Sequence, residues 1–414
     1  MNSLIGTPGS NLIKDDAHIE WLREERRRLL DFYQPNVCDP EGGYNYLDAT
    51  GEPLADQGKQ LWTSARMLHC FSLAHMLGRE GAARIVEHGL DYFLTGVGRD
   101  HKYGGWFATV GGRNPSDRKE LYGQAHVLLA ASSALQAGFE RGRELIDAAL
   151  DVINRHYWRD AEGRCVEAFD RTFTELDPYR GQNANMHLTE AFLAAYEATG
   201  DEVLLERAVR IGEHIAGDAA ANEDGAWRLC EHFAEDWTPL LEYNVDDPRH
   251  PFRPYGSQPG HWLEWAKLMM QMRGLGVDVD WLLPAAANLF KGAMVEGWQP
   301  GGGFVYTVGW DGAPIVEERF FWEPAEGVGA ARFLYAATGD CSYADDYRTI
   351  WQYAADHFRD LQGGSWFPEL NAANEPVSIT WEGKPDLYHA FQATMYAEMP
   401  AHLGIAAWAK TQQS

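Results

Sequence analysis

The sequence is poor in cysteine and in positive charge. Its five cysteines are odd in number and far apart: Cys38, Cys70, Cys165, Cys230 and Cys341. Because no Cys-x-x-Cys pair occurs, we expect neither a zinc cluster nor a disulfide framework. Only 35 basic residues oppose 61 acidic ones, which gives a net charge of −26. A field of this sign repels nucleic acid and anionic membranes, so we expect neither as a partner.

A secretion signal and a membrane span are also missing from the sequence. The N-terminal segment MNSLIGTPGSNLIKDD has neither the basic flank nor the apolar run of a signal peptide. No apolar stretch approaches the length of about 18 residues that a transmembrane helix needs. We therefore expect a cytoplasmic protein. Hydrophobic residues make up 45% of the 414 residues, which is enough for a large core.

Six glycine–aromatic patches recur along the chain. They are GGYNYLD at 42–48, GGWFATV at 104–110, GRCVEAF at 163–169, GAWRLCEHF at 225–233, GGFVYTV at 302–308 and GSWFPEL at 364–370. Their first glycines are separated by 62, 59, 62, 77 and 62 residues. Apolar and polar residues alternate within each patch, and several patches run into turn signals such as VGGRNP and GWDGAP. This pattern predicts a short β-hairpin at each patch.

Between the patches the apolar residues follow a helical period. A stripe begins soon after each predicted hairpin, over residues 58–78, 118–138, 183–199, 258–274, 323–338 and 386–409. A second helix is predicted over 80–98, 140–157, 201–219, 278–297 and 340–361, and a helix near 15–33 completes the sixth pair. Because no long polar linker separates the pairs, they predict a single domain over residues 1–414.

Six equal helical pairs can close into a ring. The predicted fold is therefore all-α, an (α/α)6 barrel with short β-hairpins at one mouth, and an open solenoid is the structural alternative. In the barrel, the helix near 15–33 would meet the last helix. The six helices that follow the hairpins would form the inner layer, with all their N-termini at the same mouth.

Polar and aromatic residues gather at the starts of these inner helices. They are Trp62, Arg66, Tyr122, Gln124, His126, Asn183, Asn185, His187, His261, Glu264, Trp322, Glu323, Glu326, Tyr388 and His389. A single histidine on an inner helix is more often a hydrogen-bonded core residue than a functional one. Together, however, they predict a pocket for a polyhydroxylated ligand, since aromatic faces stack on the C–H faces of sugars.

Two histidines stand close to predicted helix starts. His261 follows Pro259 and Gly260, with Ser257 as the candidate N-cap, and His389 follows Asp386, its own candidate cap. The positive end of the helix dipole disfavours the imidazolium there, and a neutral imidazole is what a general base needs. Glu264, one turn after His261, would orient that ring or accept a hydrogen bond from a substrate hydroxyl.

Three chemistries compete for these residues. Two His-x-x-Glu pairs, His187/Glu190 and His261/Glu264, suggest a metal site, but the motif His-Glu-x-x-His is absent. Glycoside hydrolysis needs two opposed carboxylates, for which Glu264 and Glu326 would serve, but it leaves the two histidines without a role. Proton transfer next to a sugar carbonyl needs two bases and a donor for the enediolate.

The motifs of the chain resemble the N-acylglucosamine 2-epimerase superfamily, and within it the bacterial aldose–ketose isomerases acting on mannose or sulfoquinovose. The resemblance rests on five ordered motifs: LWTSARMLH at 61–69, KYGGWFA at 102–108, YRGQNANMHLTEAF at 179–192, PGHWLEWAKLM at 259–269 and DLYH at 386–389. It covers nearly the whole chain. It implies the (α/α)6 barrel and no metal or organic cofactor.

The resemblance also implies roles for individual residues. His389 would move the proton between C2 and C1 of the sugar, and His261 would assist ring opening and proton traffic. The sugar hydroxyls and carbonyl oxygen would be held by Arg66, Tyr122, Asn183, His187 and Glu264. The pocket would further be lined by Trp62, Trp322, Trp381 and Glu326.

The charge of the substrate is predicted from a departure from the family pattern. Sulfoquinovose isomerases carry an arginine and glutamines around the sulfonate, whereas this chain aligns Pro251, Pro368 and Pro385 there. Proline has no side-chain donor, so an anionic sulfonate would lose its partners. A neutral monosaccharide is favoured, with D-mannose and D-fructose interconverted through a cis-enediol(ate). The alternatives are a sugar 2-epimerase, a sulfoquinovose isomerase, a glycoside hydrolase and a non-catalytic sugar-binding protein. The protein is expected to be a monomer or a homodimer.

Overall fold

The computed structural model describes residues 5–217 and 225–413. Thirteen α-helices lie in the described part of the chain: α1 (Asp16–Tyr33), α2 (Leu61–Met76), α3 (Ala82–Leu94), α4 (Leu121–Gln136), α5 (Arg141–Val152), α6 (Gln182–Thr199), α7 (Glu202–Ala216), α8 (Pro259–Gly274), α9 (Leu282–Gly292), α10 (Trp322–Thr338), α11 (Cys341–Tyr353), α12 (Tyr388–Ala393) and α13 (Ile405–Lys410). Most of the predicted helices are therefore present within a few residues. The last two residues of the helix predicted over 201–219 lie outside the described residues.

The helices form two classes that differ in burial. Helices α2, α4, α6, α8 and α10 are buried around nearly their whole circumference, whereas α3, α5, α7 and α9 bury one face. A helix that is apolar on all sides belongs to an interior layer, and an amphipathic helix covers it. Each of α2, α4, α6, α8 and α10 packs against the next even-numbered helix, and α12 in turn contacts α2.

The first helix contacts the last two units of the chain. On α1, the Nε2 atom of His18 lies 3.0 Å from the hydroxyl of Tyr347 on α11. Arg26 of α1 donates a hydrogen bond of 2.7 Å to the carbonyl of Thr394, just after α12. The N-terminal helix thus packs where the sequence predicts it.

The final inner helix is shorter than predicted. A continuous helix over 386–409 is wrong, because α12 ends at Ala393 and α13 begins only at Ile405. Pro400 lies in the gap, lacks a backbone N–H and disfavours helical geometry at the residue before it. Gly404 then has an extended backbone that starts α13.

Within residues 5–217 and 225–413, twelve very short strands lie near the starts of the inner helices: β1 (Lys59–Gln60), β2 (Thr109–Val110), β3 (Lys119–Glu120), β4 (Trp158–Arg159), β5 (Arg164–Cys165), β6 (Ala168–Phe169), β7 (Arg180–Gly181), β8 (His232–Phe233), β9 (Thr307–Val308), β10 (Pro314–Val316), β11 (Arg319–Phe320) and β12 (Glu369–Leu370). All pairs are antiparallel: β1 with β2, β3 with β6, β4 with β5, β7 with β8, β9 with β10 and β11 with β12.

Some of these pairs join successive repeats, which the sequence analysis did not predict. The strand directly before α2, for example, pairs with the patch of the following repeat, as Gln60 opposes Thr109. Isolated β-bridges across the predicted turns, such as that between Thr109 and Ser116, show that the hairpins contain very few paired residues. The hairpins therefore also tie each inner helix start to its neighbour.

Two amides near the starts of inner helices hold the patches in place. Gln124 accepts from the backbone N–H of Trp106 and donates to its carbonyl, at 3.3 and 2.9 Å. Asn185 does the same with Cys165, at 2.8 and 3.0 Å. The expectation that these two amides face the pocket is therefore wrong, because both are consumed by backbone groups.

No helix among the described residues is long and apolar enough to cross a lipid bilayer.

Candidate active site

A cavity opens where the inner helices begin. It encloses about 630 Å³ of space, open solvent at its mouth included. Its lining residues are Trp62, Arg66, Tyr122, Asn183, His187, Pro251, Phe252, Gln258, His261, Glu264, Tyr306, Phe320, Phe321, Trp322, Trp381, Pro385, Asp386 and His389. The resemblance to the epimerase superfamily gave eleven residues a role at the site, and ten of them are in this set. The eleventh, Glu326, lies beneath it and is fully buried.

His261 projects from the first turn of α8 and is held by a carboxylate from another segment. Its Nδ1 lies 2.8 Å from Oε2 of Glu231 and 2.7 Å from Nε2 of Gln182. Burial opposes the charge of Glu231, but His261 and Gln182 outweigh it and lower the pKa of this carboxyl. The expectation that Glu264 orients His261 is wrong, because Glu231 holds that position.

The start of α8 also differs from the predicted capping. Gln258, not Ser257, precedes the first helical residue, and no side chain caps the helix. The Ser257 hydroxyl instead donates to the carbonyl of Leu229 and accepts from the indole of Trp262. Gly260 is required there, since a Cβ would lie 2.3 Å from the ring of Trp322.

His389 forms a second histidine–carboxylate pair. Its Nδ1 lies 2.7 Å from Oε1 of Glu326 on α10, and Oε2 of Glu326 lies 2.5 Å from Nζ of Lys267 on α8. Burial lowers the pKa of His389 and outweighs the opposing effect of Glu326. An Nδ1 proton shared with a carboxylate leaves the Nε2 lone pair free to accept a proton.

The ring of Trp322 brings the two histidines together. Its centroid lies 5.4 Å from that of His261 and 6.0 Å from that of His389. Neither histidine Nε2 has a hydrogen-bond partner among the described residues. Two imidazoles with carboxylate-bound Nδ1 atoms thus lie close to the same tryptophan ring in one cavity. Such an arrangement can move protons between neighbouring atoms of a bound ligand.

Arg66 places a permanent positive charge on the opposite wall. Its guanidinium donates to Asp386 at 3.1 Å, to His126 at 3.0 Å and to the hydroxyl of Tyr122 at 3.0 Å. Burial disfavours this charge, but Tyr122 and Asp386 outweigh it and raise the pKa of Arg66. Asp386 also accepts from the backbone N–H of Tyr388 at 3.0 Å, but its predicted role as the N-cap is wrong, because Leu387 precedes the first residue of α12.

A third polar group lies at the floor of the cavity. Nδ1 of His187 lies 3.6 Å from Oε1 of Glu264 and 3.8 Å from Oε2 of Glu190. Burial, together with repulsion from Glu326 and Glu190, raises the pKa of Glu264 well above its usual range. A protonated Glu264 can donate a hydrogen bond to a sugar oxygen. The Oδ1 atom of Asn183 also has no partner among the described residues.

Two groups of side chains at this floor have the geometry of a metal site. Ligand atoms of His187, Glu190 and Glu264 lie within 4.8 Å of one another, as do those of Glu264, Glu326 and His389. However, the ammonium group of Lys267 already neutralises Glu326. A fixed cation at this place competes with a metal ion for the same oxygens.

Aromatic rings form the outer wall of the cavity. Trp62 packs against Phe252 and Trp381 with centroid distances of 6.0 and 5.8 Å, and Phe252 lies 5.5 Å from Trp381. Such faces are suited to the apolar side of a sugar ring. Pro251 and Pro385 also line the cavity, whereas Pro368 is not among its lining residues.

Three residues that hold the two histidines were not identified from the sequence. They are Gln182, Glu231 and Lys267. Glu231 lies within the GAWRLCEHF patch and Lys267 within the PGHWLEWAKLM motif. For Glu231 and Lys267, the only available signal was an ionisable residue inside a patch or on an inner helix. Gln182 offered only an amide at an inner helix start. Neither signal says which histidine the residue approaches.

Comparison with known proteins agrees with this architecture. The profile of the N-acylglucosamine 2-epimerase (GlcNAc 2-epimerase) family matches residues 42–393. The chain belongs to this family.

Several similar proteins are D-mannose isomerases. A D-mannose isomerase from Thermobifida fusca is 46% identical over 94% of this chain and 96% of its own length. Another, from Pseudomonas cannabina pv. alisalensis, is 39% identical over 96% of both chains. A crystal structure of a D-mannose isomerase superimposes with a TM-score of 0.85 at 30% identity, covering 92% of this chain and 97% of that one.

Proposed function

We propose that this protein is an aldose–ketose isomerase that interconverts D-mannose and D-fructose. Two similar proteins over nearly their full lengths are D-mannose isomerases, at 46% and 39% identity. The observation that carries the proposal is the pair of carboxylate-bound histidines, His261 and His389, both close to Trp322 in one cavity. A sugar-binding protein without catalysis has no need of two such bases.

We further propose that residues 1–414 form a single catalytic domain with a closed (α/α)6 barrel. The contact of α12 with α2, together with the packing of successive even-numbered helices, supports closure. The contacts of α1 with α11 and with Thr394 support the same arrangement in the outer layer.

In the proposed mechanism, His389 removes the proton from C2 of the open-chain sugar. The electron pair of the C2–H bond forms the C1–C2 double bond, and the carbonyl oxygen O1 gains the charge. The guanidinium of Arg66 and the protonated Glu264 stabilise this oxygen. A proton then moves from the O2 hydroxyl to O1, and the electron pair left on O2 forms the C2=O bond of the ketone. The electron pair of the C1–C2 double bond takes the proton back from His389 at C1.

His261 serves the oxygen atoms in this proposal. Opening of the pyranose ring requires removal of the O1 proton and protonation of the ring oxygen. The Nε2 of His261 is available for both transfers, because its Nδ1 faces Glu231 and Gln182 instead of the cavity. We propose that Tyr122, Asn183 and His187 hold the hydroxyls and that Trp62, Trp322 and Trp381 pack on the sugar.

The Glu264/Glu326 pair required by the glycosidase alternative is disfavoured by geometry. Two carboxylates must face the scissile bond from opposite sides. Glu326 is fully buried, is absent from the cavity lining and is bound by Lys267 and His389.

The proposal is tested by incubating mannose with the protein in D2O and recording proton NMR spectra over time. We expect fructose to appear. Glucose as the sole product would assign a 2-epimerase instead. An unchanged mannose spectrum, including the C2 proton, would overturn both assignments. The His389→Ala variant is the matched control, since it should leave the sugar unchanged.

A further inference from the structure

Lys267 is a fully buried lysine that does not touch the cavity. It lies in the middle of α8 with none of its side chain exposed, and it is not among the residues that line the cavity. Its Nζ lies 2.5 Å from Oε2 of Glu326 and 3.5 Å from the hydroxyl of Tyr396. A buried ammonium group is costly unless it is paired, so its position calls for an explanation.

The structure links this ammonium group to one of the two histidines through a single carboxylate. One oxygen of Glu326 faces Lys267 and the other faces Nδ1 of His389. All three side chains are at most 5% exposed. The groups therefore form a line from the protein interior to the cavity: the ammonium group of Lys267, the carboxylate of Glu326 and the imidazole of His389.

We propose that Lys267 is a positioning residue for the isomerisation, which keeps Glu326 ionised so that Glu326 holds the proton of His389 on Nδ1. The Nε2 atom of His389 then keeps its lone pair and can accept the C2 proton. This inference rests on the proposed function. It adds a residue that acts through Glu326 and His389 and never contacts the sugar.

The local charges explain why Glu326 needs a cation. Glu264 and Glu190 approach from α8 and α6, and three carboxylates at such short distances cannot all ionise without compensation. Burial opposes the charge on Lys267, but Glu326, Glu190 and Glu264 outweigh it and raise its pKa. Lys267 supplies the charge that lets Glu326 ionise while Glu264 stays protonated.

The groups that surround the His389–Glu326 pair come from every neighbouring inner helix. They are Arg66, Tyr122, His126, His187, Glu190, Glu264, Lys267, Asp386, Tyr388 and Tyr396. Only Arg66 and Lys267 in this set carry a permanent positive charge, and Arg66 is bound to Asp386. Lys267 is therefore the cation that acts on Glu326 directly.

Removal of Lys267 has a definite electrostatic sign. Loss of a positive charge favours proton uptake by the His389–Glu326 pair, whichever of the two groups binds the proton. An opposite or like charge within about 4–6 Å typically shifts a pKa by about 1–3 units. The base must be free of that proton to act. On the acid side of the pH profile, the fall of kcat/KM (the acid limb) should therefore move to higher pH by about 1–3 units.

The experiment compares Lys267→Met with wild-type protein over pH 5–9, with mannose as substrate. Lys267→Met should lower kcat/KM at pH 7 by about tenfold or more and recover part of this loss toward pH 9. Lys119→Met is the matched control. Lys119 is equally buried, pairs with Asp100 at 3.2 Å and is not among the residues that line the cavity. The Lys119→Met variant should have a lower free energy of unfolding and keep the wild-type acid limb of kcat/KM.

Two further variants test whether Lys267 acts through Glu326. When Lys267→Met is added to the Glu326→Gln variant, kcat/KM should fall by less than a further threefold, because the carboxylate that Lys267 supports is already gone. Lys267→Arg should restore most of the wild-type acid limb. An unchanged acid limb in Lys267→Met, or fully additive losses in the double variant, would overturn the proposal.

A measurement on the wild-type protein covers the case in which these variants fail to fold. Nitrogen-15 NMR of the histidines, with His389 assigned by its loss in His389→Gln, should show a neutral ring protonated on Nδ1 at pH 7. An imidazolium or an Nε2-protonated ring would overturn the inference. Absence of any mannose turnover by the wild-type protein would instead reject the proposed function. The protonation state of the His389 ring would then still test the Lys267 inference separately.

Discussion

The two histidine–carboxylate pairs of the cavity are built from different supports. Glu326, the partner of His389, is held by the ammonium group of Lys267 at 2.5 Å. Glu231, the partner of His261, is held by neutral donors, Nε2 of Gln182 at 2.7 Å and the backbone N–H of Gln258 at 3.2 Å. One carboxylate is stabilised by charge and the other by dipoles.

The difference also affects the proton on each ring. In the described part of the chain, the one hydrogen-bond partner of Nδ1 of His389 is a carboxylate oxygen, which favours a single tautomer. Nδ1 of His261 faces a carboxylate oxygen and an amide nitrogen at nearly equal distances, so the two tautomers are closer in free energy. A base that moves one carbon-bound proton benefits from the first arrangement. A residue that both removes and supplies protons at oxygen benefits from the second.

The largest decrease in kcat is expected when the imidazole of either histidine is removed. His389→Ala and His261→Ala should each lower kcat by roughly 10²–10⁴-fold, because each removes a positioned proton-transfer group. Steady-state assays with mannose measure the effect, and circular dichroism should show an unchanged fold. The exposed His101, changed to alanine, serves as the control. Near-wild-type turnover would remove that histidine from the mechanism.

The next effect concerns the charge of the substrate. We expect kcat/KM for mannose to exceed that for sulfoquinovose by at least roughly 10²-fold, because a buried sulfonate without donors costs several kcal/mol. Pro251 and Pro385 offer no donor. Arg66, the only arginine among the described lining residues, is bound to Asp386 and is assigned to O1 at the reacting end of the sugar. Both sugars are assayed at the same pH and salt. Equal turnover of sulfoquinovose would show that the alignment of the prolines is wrong.

A direct comparison of the two carboxylates should give a smaller effect. Glu326→Gln should lower kcat by roughly 10–100-fold, in the range seen when a partner that orients a functional histidine is removed. Glu231→Gln should cost less, because Gln182 still contacts His261. Kinetics of both variants at pH 7 test this order. The reverse order would contradict the roles assigned to the two pairs.

The pH dependence of the wild-type protein should show a still smaller change. Burial lowers the pKa of His389, so the ring stays in its basic form below the ordinary histidine value of about 6.5. A base with an unshifted pKa would lose about threefold in rate between pH 7 and pH 6. We expect a smaller loss of kcat/KM over this interval. A threefold or larger loss, with the fold intact by circular dichroism, would show that burial does not control the base.

Metal removal should have no effect. If Lys267 takes the place of a cation at the floor of the cavity, prolonged treatment with EDTA should leave mannose turnover unchanged. Elemental analysis should find no stoichiometric zinc, manganese or iron. Activity that disappears with EDTA and returns with one divalent ion would assign the cluster of His187, Glu190 and Glu264 to a metal.

The pattern in the sequence was sufficient for the helices and most of the cavity. Regular spacing of the glycine–aromatic patches marked the inner helix starts, and ten predicted residues line one cavity. The prediction was weaker where a residue had two possible partners. Gln124 and Asn185 stand at helix starts like Asn183, yet they bind backbone groups. Their direction depends on the side of the helix, which a short motif does not resolve.

The sequence by itself determined which residues belong to inner helices and that two histidines stand near helix starts, because burial and periodicity are local properties. Only the tertiary structure decided which carboxylate serves which histidine. Glu264 lies one turn from His261 along α8, but Glu231, thirty residues away, makes the hydrogen bond. Likewise Lys267 reaches Glu326 across the contact between α8 and α10. Contacts between helices depend on how the inner layer packs, and no spacing within one helix contains that information.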